Sequence, residues 1–175
     1  MEIGSGLTLL VGGARSGKSD LAVGLGTAWG GPVVFAATGE PIDDDMAARI
    51  DRHKLDRPDG WATVERPRLN GADVEQIAAD ALLIVDCLTV LVSNLMLAEQ
   101  PVEAHAEVLA QALADRPGPT IVVSNEVGMG VHPETALGRS YRDQLGRVNR
   151  IVAERAQTAL LIVAGRAIPL ESVSW

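Results

Sequence analysis

A chain of 175 residues, 47% of them apolar, is long enough for one buried core, too short to promise two, and too apolar to remain disordered. Its formal net charge of −8 excludes non-specific attraction to nucleic acid or anionic lipid, so an anionic ligand has to be held by a local site. With Cys87 as the one cysteine, an internal disulfide and a zinc cluster are excluded as well.

Neither a secretory leader pattern nor an apolar run approaching the roughly 20 residues that cross a bilayer is present, which makes a cytoplasmic location the expectation. In chain order, Leu7–Val11 is the first short run rich in branched apolar residues, and Leu21, Leu25 and Ala28/Trp29 follow it at helical spacing. Val33–Ala37 is the next run. Asp43-Asp44-Asp45 then suits a helix N-terminus, where negative charge meets the helix dipole, and Met46, Ile50 and His53 share one face of that helix. Arg57–Pro67 reads as a loop. Leu82–Val85 is a third run and ends on Asp86; the Arg116–Pro119 turn precedes a fourth at Ile121–Val123. After Tyr141, the residues Leu145, Val148, Val152 and Ala159 keep a helical stripe, and Leu160–Val163 closes the series. Runs apolar throughout suit strands covered on both faces. Alternated with helices, they predict βαβ units and an open, mostly parallel α/β sheet in a single domain over residues 1–175.

Gly12-Gly13-Ala14-Arg15-Ser16-Gly17-Lys18-Ser19 fits the phosphate-loop pattern G-x-x-x-x-G-K-[ST] without a mismatch. Its glycines let backbone N–H groups approach phosphate oxygens, Lys18 reaches the β/γ-phosphates, and the Ser19 hydroxyl is placed to ligate Mg²⁺. Glycine-rich turns occur without nucleotide, but this one follows a strand pattern and opens a helix pattern, the context the motif requires. Asp86 is the candidate second Mg²⁺ residue, because ligands gather at the carboxyl ends of parallel strands; the competing role is a cap for the helix that follows, shared with Thr89.

A switch GTPase is a poor fit, since Asp86-Cys87-Leu88-Thr89 lacks the glycine of D-x-x-G and Asn125-Glu126-Val127-Gly128 is not N-K-x-D. Helical spacing by itself favours His53 as a histidine at the edge of the core. The chemical alternative is a nucleophile: neutral imidazole can attack phosphorus, and Arg49, Arg52, Lys54 and Arg57 stand nearby in sequence.

Taken together, the phosphate loop, Asp44-Asp45-Met46-Ala47-Ala48-Arg49-Ile50, His53-Lys54 with Arg57-Pro58 and Trp61, and Asn125-Glu126-Val127-Gly128-Met129-Gly130 resemble the adenosylcobinamide kinase/adenosylcobinamide-phosphate guanylyltransferase family. The likeness continues through Arg142-Asp143 and Gly146-Arg147-Val148-Asn149, and so covers nearly the whole chain. Asp45 and Asp86 stand where glutamate would be equally expected, which keeps the charge.

The resemblance implies a RecA-like P-loop NTPase fold and a bifunctional enzyme of cobalamin biosynthesis with adenosylcobinamide as corrinoid substrate. ATP or GTP would phosphorylate adenosylcobinamide, and GMP from GTP would then reach that phosphate through a guanylylated histidine. On this likeness His53 is the guanylylated residue and Lys18 the catalytic lysine. Nucleotide contacts fall on Gly12, Gly13, Ala14, Arg15, Ser16, Gly17, Lys18, Ser19, Thr38, Gly39, Glu40, Lys54, Leu55, Asp56, Arg57, Glu65 and Asp86, with Mg²⁺ at Ser19 and Asp86. A homo-oligomer, a trimer, is also implied. A single-step P-loop small-molecule kinase and a non-catalytic NTP-binding protein are the competing readings. Elsewhere, Glu126 is expected to face the substrate pocket, His105 and His132 to lie on the surface, and Cys87 to be a buried small apolar side chain. Arg142 and Arg147 suit phosphate contacts and solvated helix charge equally.

Overall fold

The structure, a computed structural model, describes residues 4–41, 54 and 57–173. Among these, seven strands form one sheet: β1 (Leu7–Gly12), β2 (Val33–Ala37), β3 (Ala62–Glu65), β4 (Leu82–Asp86), β5 (Thr120–Asn125), β6 (Thr158–Val163) and β7 (Arg166–Pro169). The spatial order is β3-β2-β4-β5-β1-β6-β7, parallel throughout except for the β6–β7 pair. That hairpin closes through Ala164 and Gly165, both at positive φ, as a two-residue turn matching strand twist requires. The helices are α1 (Lys18–Trp29), α2 (Gly71–Glu75), α3 (Leu88–Leu97), α4 (Val102–Asp115) and α5 (Ala136–Arg155).

Strand alternation sends each strand's residues into two separate cores. On one side Leu7, Leu9, Val11, Ala36, Leu83, Val85 and Val122 pack beneath α2 to α5; on the other Leu10, Phe35, Ala37, Leu82, Ile84, Ile121, Val123, Leu160 and Ile162 pack beneath Ala22 and Leu25 of α1. This is why the strands read as unbroken apolar runs. Burying a leucine or isoleucine such as Leu83 or Ile84, each 0% exposed, contributes about 2–3 kcal/mol by area removed from water.

Three details differ from the sequence expectation. The Arg57–Pro67 loop contains β3, whose Thr63 and Glu65 are exposed, so the edge strand carries too little apolar signal to be read as one. The buried face of α1 is Lys18, Ala22, Leu25 and Gly26, with Ala28 and Trp29 exposed. Gly26 is required there, because a side chain would collide with the Trp61 ring and with Ile84. Finally, the stripe on α5 ends with Val152; Ala159 belongs to β6.

Two polar groups missed by periodicity hold the far edge of the sheet and the α2–α4 layer. Arg116, 8% exposed, donates to the carbonyls of Ile77, Ala78 and Ala81 and to Thr120 Oγ1. His105, expected on the surface, is half-buried on α4 with its Nε2 2.7 Å from the Leu69 carbonyl. Among the described residues no helix is long and apolar enough to cross a membrane.

Candidate active site

At the carboxyl edge of the sheet, β1 runs into Gly13–Gly17 and α1 begins at Lys18. Gly12 is demanded by a close approach: a Cβ there would strike the Ile162 carbonyl of β6. Arg15 (φ 57°) and Gly17 (φ 97°) take left-handed conformations, which turn the chain from strand to helix within the Gly13–Gly17 loop and leave Gly13, Ala14 and Arg15 exposed. The loop is tethered to the β6–β7 turn by the Gly165 N–H, which donates to the Ser16 carbonyl at 2.9 Å. Lys18 is 6% exposed, and its Nζ donates to the Gly13 carbonyl at 2.6 Å and approaches Ser16 Oγ at 3.4 Å. Its ammonium is thereby folded back into the loop it closes. Ser19 occupies the first turn of α1, half-buried.

The strand order places β5 between β1 and β4, so the Asp86 strand is separated from the phosphate-loop strand by one neighbour. Asp86 follows Leu82 and Ile84 in parity and therefore lies on the α1 side of the sheet, with Lys18 and Ser19. It is half-buried. The helix-cap role for Asp86 does not hold: Cys87 takes the N-cap position of α3, and the Thr89 hydroxyl accepts instead from the Asn125 N–H at 2.8 Å. The Asp86–Cys87 peptide bond is cis.

Thr38, Gly39 and Glu40 follow β2. Thr38 is 0% exposed, and its hydroxyl both donates to the Cys87 carbonyl and accepts from the Cys87 N–H, at 2.8 and 2.9 Å. Its side chain is thus committed to joining the β2 and β4 ends, while Gly39 and Glu40 are half-buried beside it. Buried Asn94 of α3 reinforces the joint by donating to the carbonyls of Thr38 and Pro67.

Glu65 ends β3, in register with Ala37, which is itself in register with Asp86. Arg57 lies over the Phe35 ring at 3.8 Å from its centroid and reaches Thr63 Oγ1 at 3.4 Å. Burial lowers the Arg57 pKa, against the opposing charges of Asp86 and Glu65. Lys54 pairs with Glu65 at 2.8 Å; this hydrogen bond, followed by the lysine charge, holds the Glu65 carboxyl below its ordinary range. Lys54, Arg57, Trp61 and Glu65 line an open cleft of about 620 Å³. His53, Leu55 and Asp56 lie outside the described residues, as does the Asp43–Ile50 segment.

Past β5, the Glu126 carboxylate accepts from the Gly128 N–H within its own loop, and the Glu126 N–H donates to the Gly12 carbonyl at 2.9 Å. Asn125 ends β5 at the level of Gly12. Arg147 pairs with Glu103 of α4, and Arg142 with Asp143 and with His132, an exposed residue as expected. Burial, with Asp86 alongside, pushes the Cys87 thiol up to about 11, which leaves it neutral and inert near neutral pH.

Comparison with known proteins gives the family. The chain is 40% identical over 166 residues to the bifunctional adenosylcobalamin biosynthesis protein CobP of Pseudomonas aeruginosa, covering 93% of this chain and 96% of the relative. It is 35% identical over 181 residues to the corresponding Escherichia coli protein, CobU, covering 94% and 99%. Among solved structures, the type III secretion ATPase EscN of enteropathogenic E. coli superposes with a TM-score of 0.57 at 14% identity over 91% of this chain and 43% of that one, a likeness of fold alone. The mostly parallel sheet with its strand–loop–helix nucleotide cradle is that of P-loop NTPases. With the model for cobinamide kinase / cobinamide phosphate guanyltransferase matching residues 8–170, the chain belongs to that family.

Proposed function

We propose that this protein is a bifunctional cobinamide kinase and cobinamide phosphate guanylyltransferase of adenosylcobalamin biosynthesis, working from one nucleotide site at the carboxyl edge of the sheet. The observation that carries the reading is a complete phosphate loop whose Lys18 and Ser19 share the α1 side of the sheet with Asp86, in a chain matched over residues 8–170 by this family. In the kinase step the loop N–H groups and Lys18 hold the triphosphate of ATP or GTP, and the γ-phosphoryl group passes to a hydroxyl of adenosylcobinamide.

Mg²⁺ fits the donor set. Ser19 and Asp86 offer one hydroxyl and one carboxylate, and no group of three or more His, Cys, Asp or Glu ligands exists among the described residues. An ion held here completes its shell with phosphate oxygens and water, as Mg²⁺ prefers. When bound it neutralises charge on the phosphates.

In the second step a ring nitrogen of His53 forms a bond to the α-phosphorus of GTP while the bond to the bridging oxygen breaks and pyrophosphate departs. A phosphate oxygen of the corrinoid then takes the GMP and restores the imidazole. Arg57, already fixed over Phe35 beside Asp86 and Glu65, is placed to meet nucleotide charge. Thr38 serves by bracing the loop that presents Gly39 and Glu40. The trimer belongs to the same reading and is checked by light scattering on purified protein.

The decisive experiment incubates the protein with α-labelled GTP and Mg²⁺, denatures it and follows the label. Label stable to alkali, released by acid and absent from His53→Asn is expected, with cobinamide phosphorylation kept in that variant. Failure to label a protein that binds GTP would sink the guanylyl-enzyme step.

A further inference from the structure

Asn125 is the last residue of β5, the strand lying between β1, which runs into the phosphate loop, and β4, which ends on Asp86. Alternation along β5 decides where its side chain goes. Val122 packs into the core under α2 to α5, and Ser124 Oγ donates to Asn149 Oδ1 on that same side. Ile121 and Val123 pack under α1. Asn125 has their parity, so it projects on the α1 side, level with Gly12 and on the same side as Asp86, Lys18 and Ser19.

Its backbone is held at both polar groups by side chains. Thr89 Oγ1 accepts from the Asn125 N–H at 2.8 Å, and Asn149 Nδ2 donates to the Asn125 carbonyl at 3.0 Å. The Tyr141 hydroxyl in turn donates to the Thr89 carbonyl at 3.1 Å, which ties α5 to α3 at this point. Three side chains from two helices therefore fix one strand-end residue whose own amide makes no hydrogen bond among the described residues. Fixed backbone with an uncommitted polar side chain is the arrangement of a preorganised donor.

We propose that Asn125 is a catalytic residue of the phosphoryl-transfer step, its side-chain N–H donating to an oxygen of the transferring γ-phosphoryl group. The inference rests on the kinase reading above. In that step the acceptor oxygen bonds to the γ-phosphorus, and the bond to the β–γ bridging oxygen breaks. Its electron pair stays on the departing nucleoside diphosphate, and the hydroxyl proton passes to water. A neutral amide supplies a donor without adding a second carboxylate to repel phosphate beside Asp86. Guanylyl transfer breaks the bond between α-phosphorus and its bridging oxygen, away from the γ oxygens, so it draws far less on this contact.

The test compares wild type, Asn125→Ala and the isosteric Asn125→Asp in two assays: ATP-dependent phosphorylation of cobinamide, and labelling by α-labelled GTP. Removing a preorganised donor is expected to lower kcat of the kinase step by about 100-fold in both variants, with KM for ATP changed by less than about threefold. Labelling should fall by no more than about threefold, with wild-type melting temperature in Asn125→Asp. Kinase kcat within about threefold of wild type in both variants overturns the proposal, and so does parallel loss of both steps. A wild type that binds ATP but phosphorylates no cobinamide overturns the kinase reading and this role with it. An active wild type beside equally active variants overturns this role alone.

Discussion

Lys18 spends its ammonium on the Gly13 carbonyl, so the side chain that would meet phosphate is already inside the loop and needs a short movement to exchange one oxygen acceptor for another. Lys18→Ala removes the one cation of the loop's helix end. It is expected to lower kcat/KM of both steps by at least about 100-fold, measured by steady-state assays, and to weaken GTP binding in titration calorimetry. Cys87 makes an opposite kind of prediction. Its folded pKa, near 11, is above the ordinary thiol value, so protonation is favoured in the native state. The stability this supplies is present below about pH 9 and is lost as pH rises through about 11. Alkylation by iodoacetamide at pH 8 should be roughly 100-fold slower than for an exposed cysteine, reflecting the smaller thiolate fraction; a rate like that of a free thiol would contradict the burial.

Elements carry the next level of specification. The edge opposite the nucleotide site depends on Arg116, which gathers three carbonyls and the Thr120 hydroxyl at the start of β5. Arg116→Met keeps much of the packing and leaves those acceptors without their donor. A loss of about 2–4 kcal/mol in urea denaturation is expected, with the folded fraction keeping kinase activity, because Thr120 stands at the other end of β5 from Asn125. Loss of activity without loss of stability would show that this edge communicates with the site. On the site side, Asn94, Asn149, Thr89 and Thr38 do the corresponding work, joining β2, β4 and β5 to α3 and α5 through hydrogen bonds that periodicity does not encode.

At the scale of the whole molecule, one seven-stranded sheet with a core on each face predicts a single cooperative unfolding transition, and two separate transitions in calorimetry would count against one domain. A ligand that binds the native state alone stabilises it by about 2.7 kcal/mol at 100 times its Kd. GTP at that ratio should raise the melting temperature by roughly 5–10 °C, and the shift should vanish in Lys18→Ala. Equal shifts in both proteins would place the nucleotide elsewhere.

The local pattern was enough for the phosphate loop, the parallel α/β class and the family, because each rests on residues close in sequence: glycines where the backbone turns, a lysine and a serine opening a helix, apolar runs buried on both faces. Edge strand β3 escaped because its exposed Thr63 and Glu65 leave no apolar run. The helix-cap alternative for Asp86 and Thr89 could be weighed from sequence but not decided, since the Thr89 hydroxyl finds its partner 36 residues away. Asn125 opens one of the stretches that carry the family likeness, but that stretch by itself gives it no role. Only the strand order, which inserts β5 between β1 and β4, and the parity that turns its side chain toward α1 bring it to the nucleotide edge. Chemistry of residue types was written locally; which of them meet was decided by strand pairing and helix packing across the whole chain.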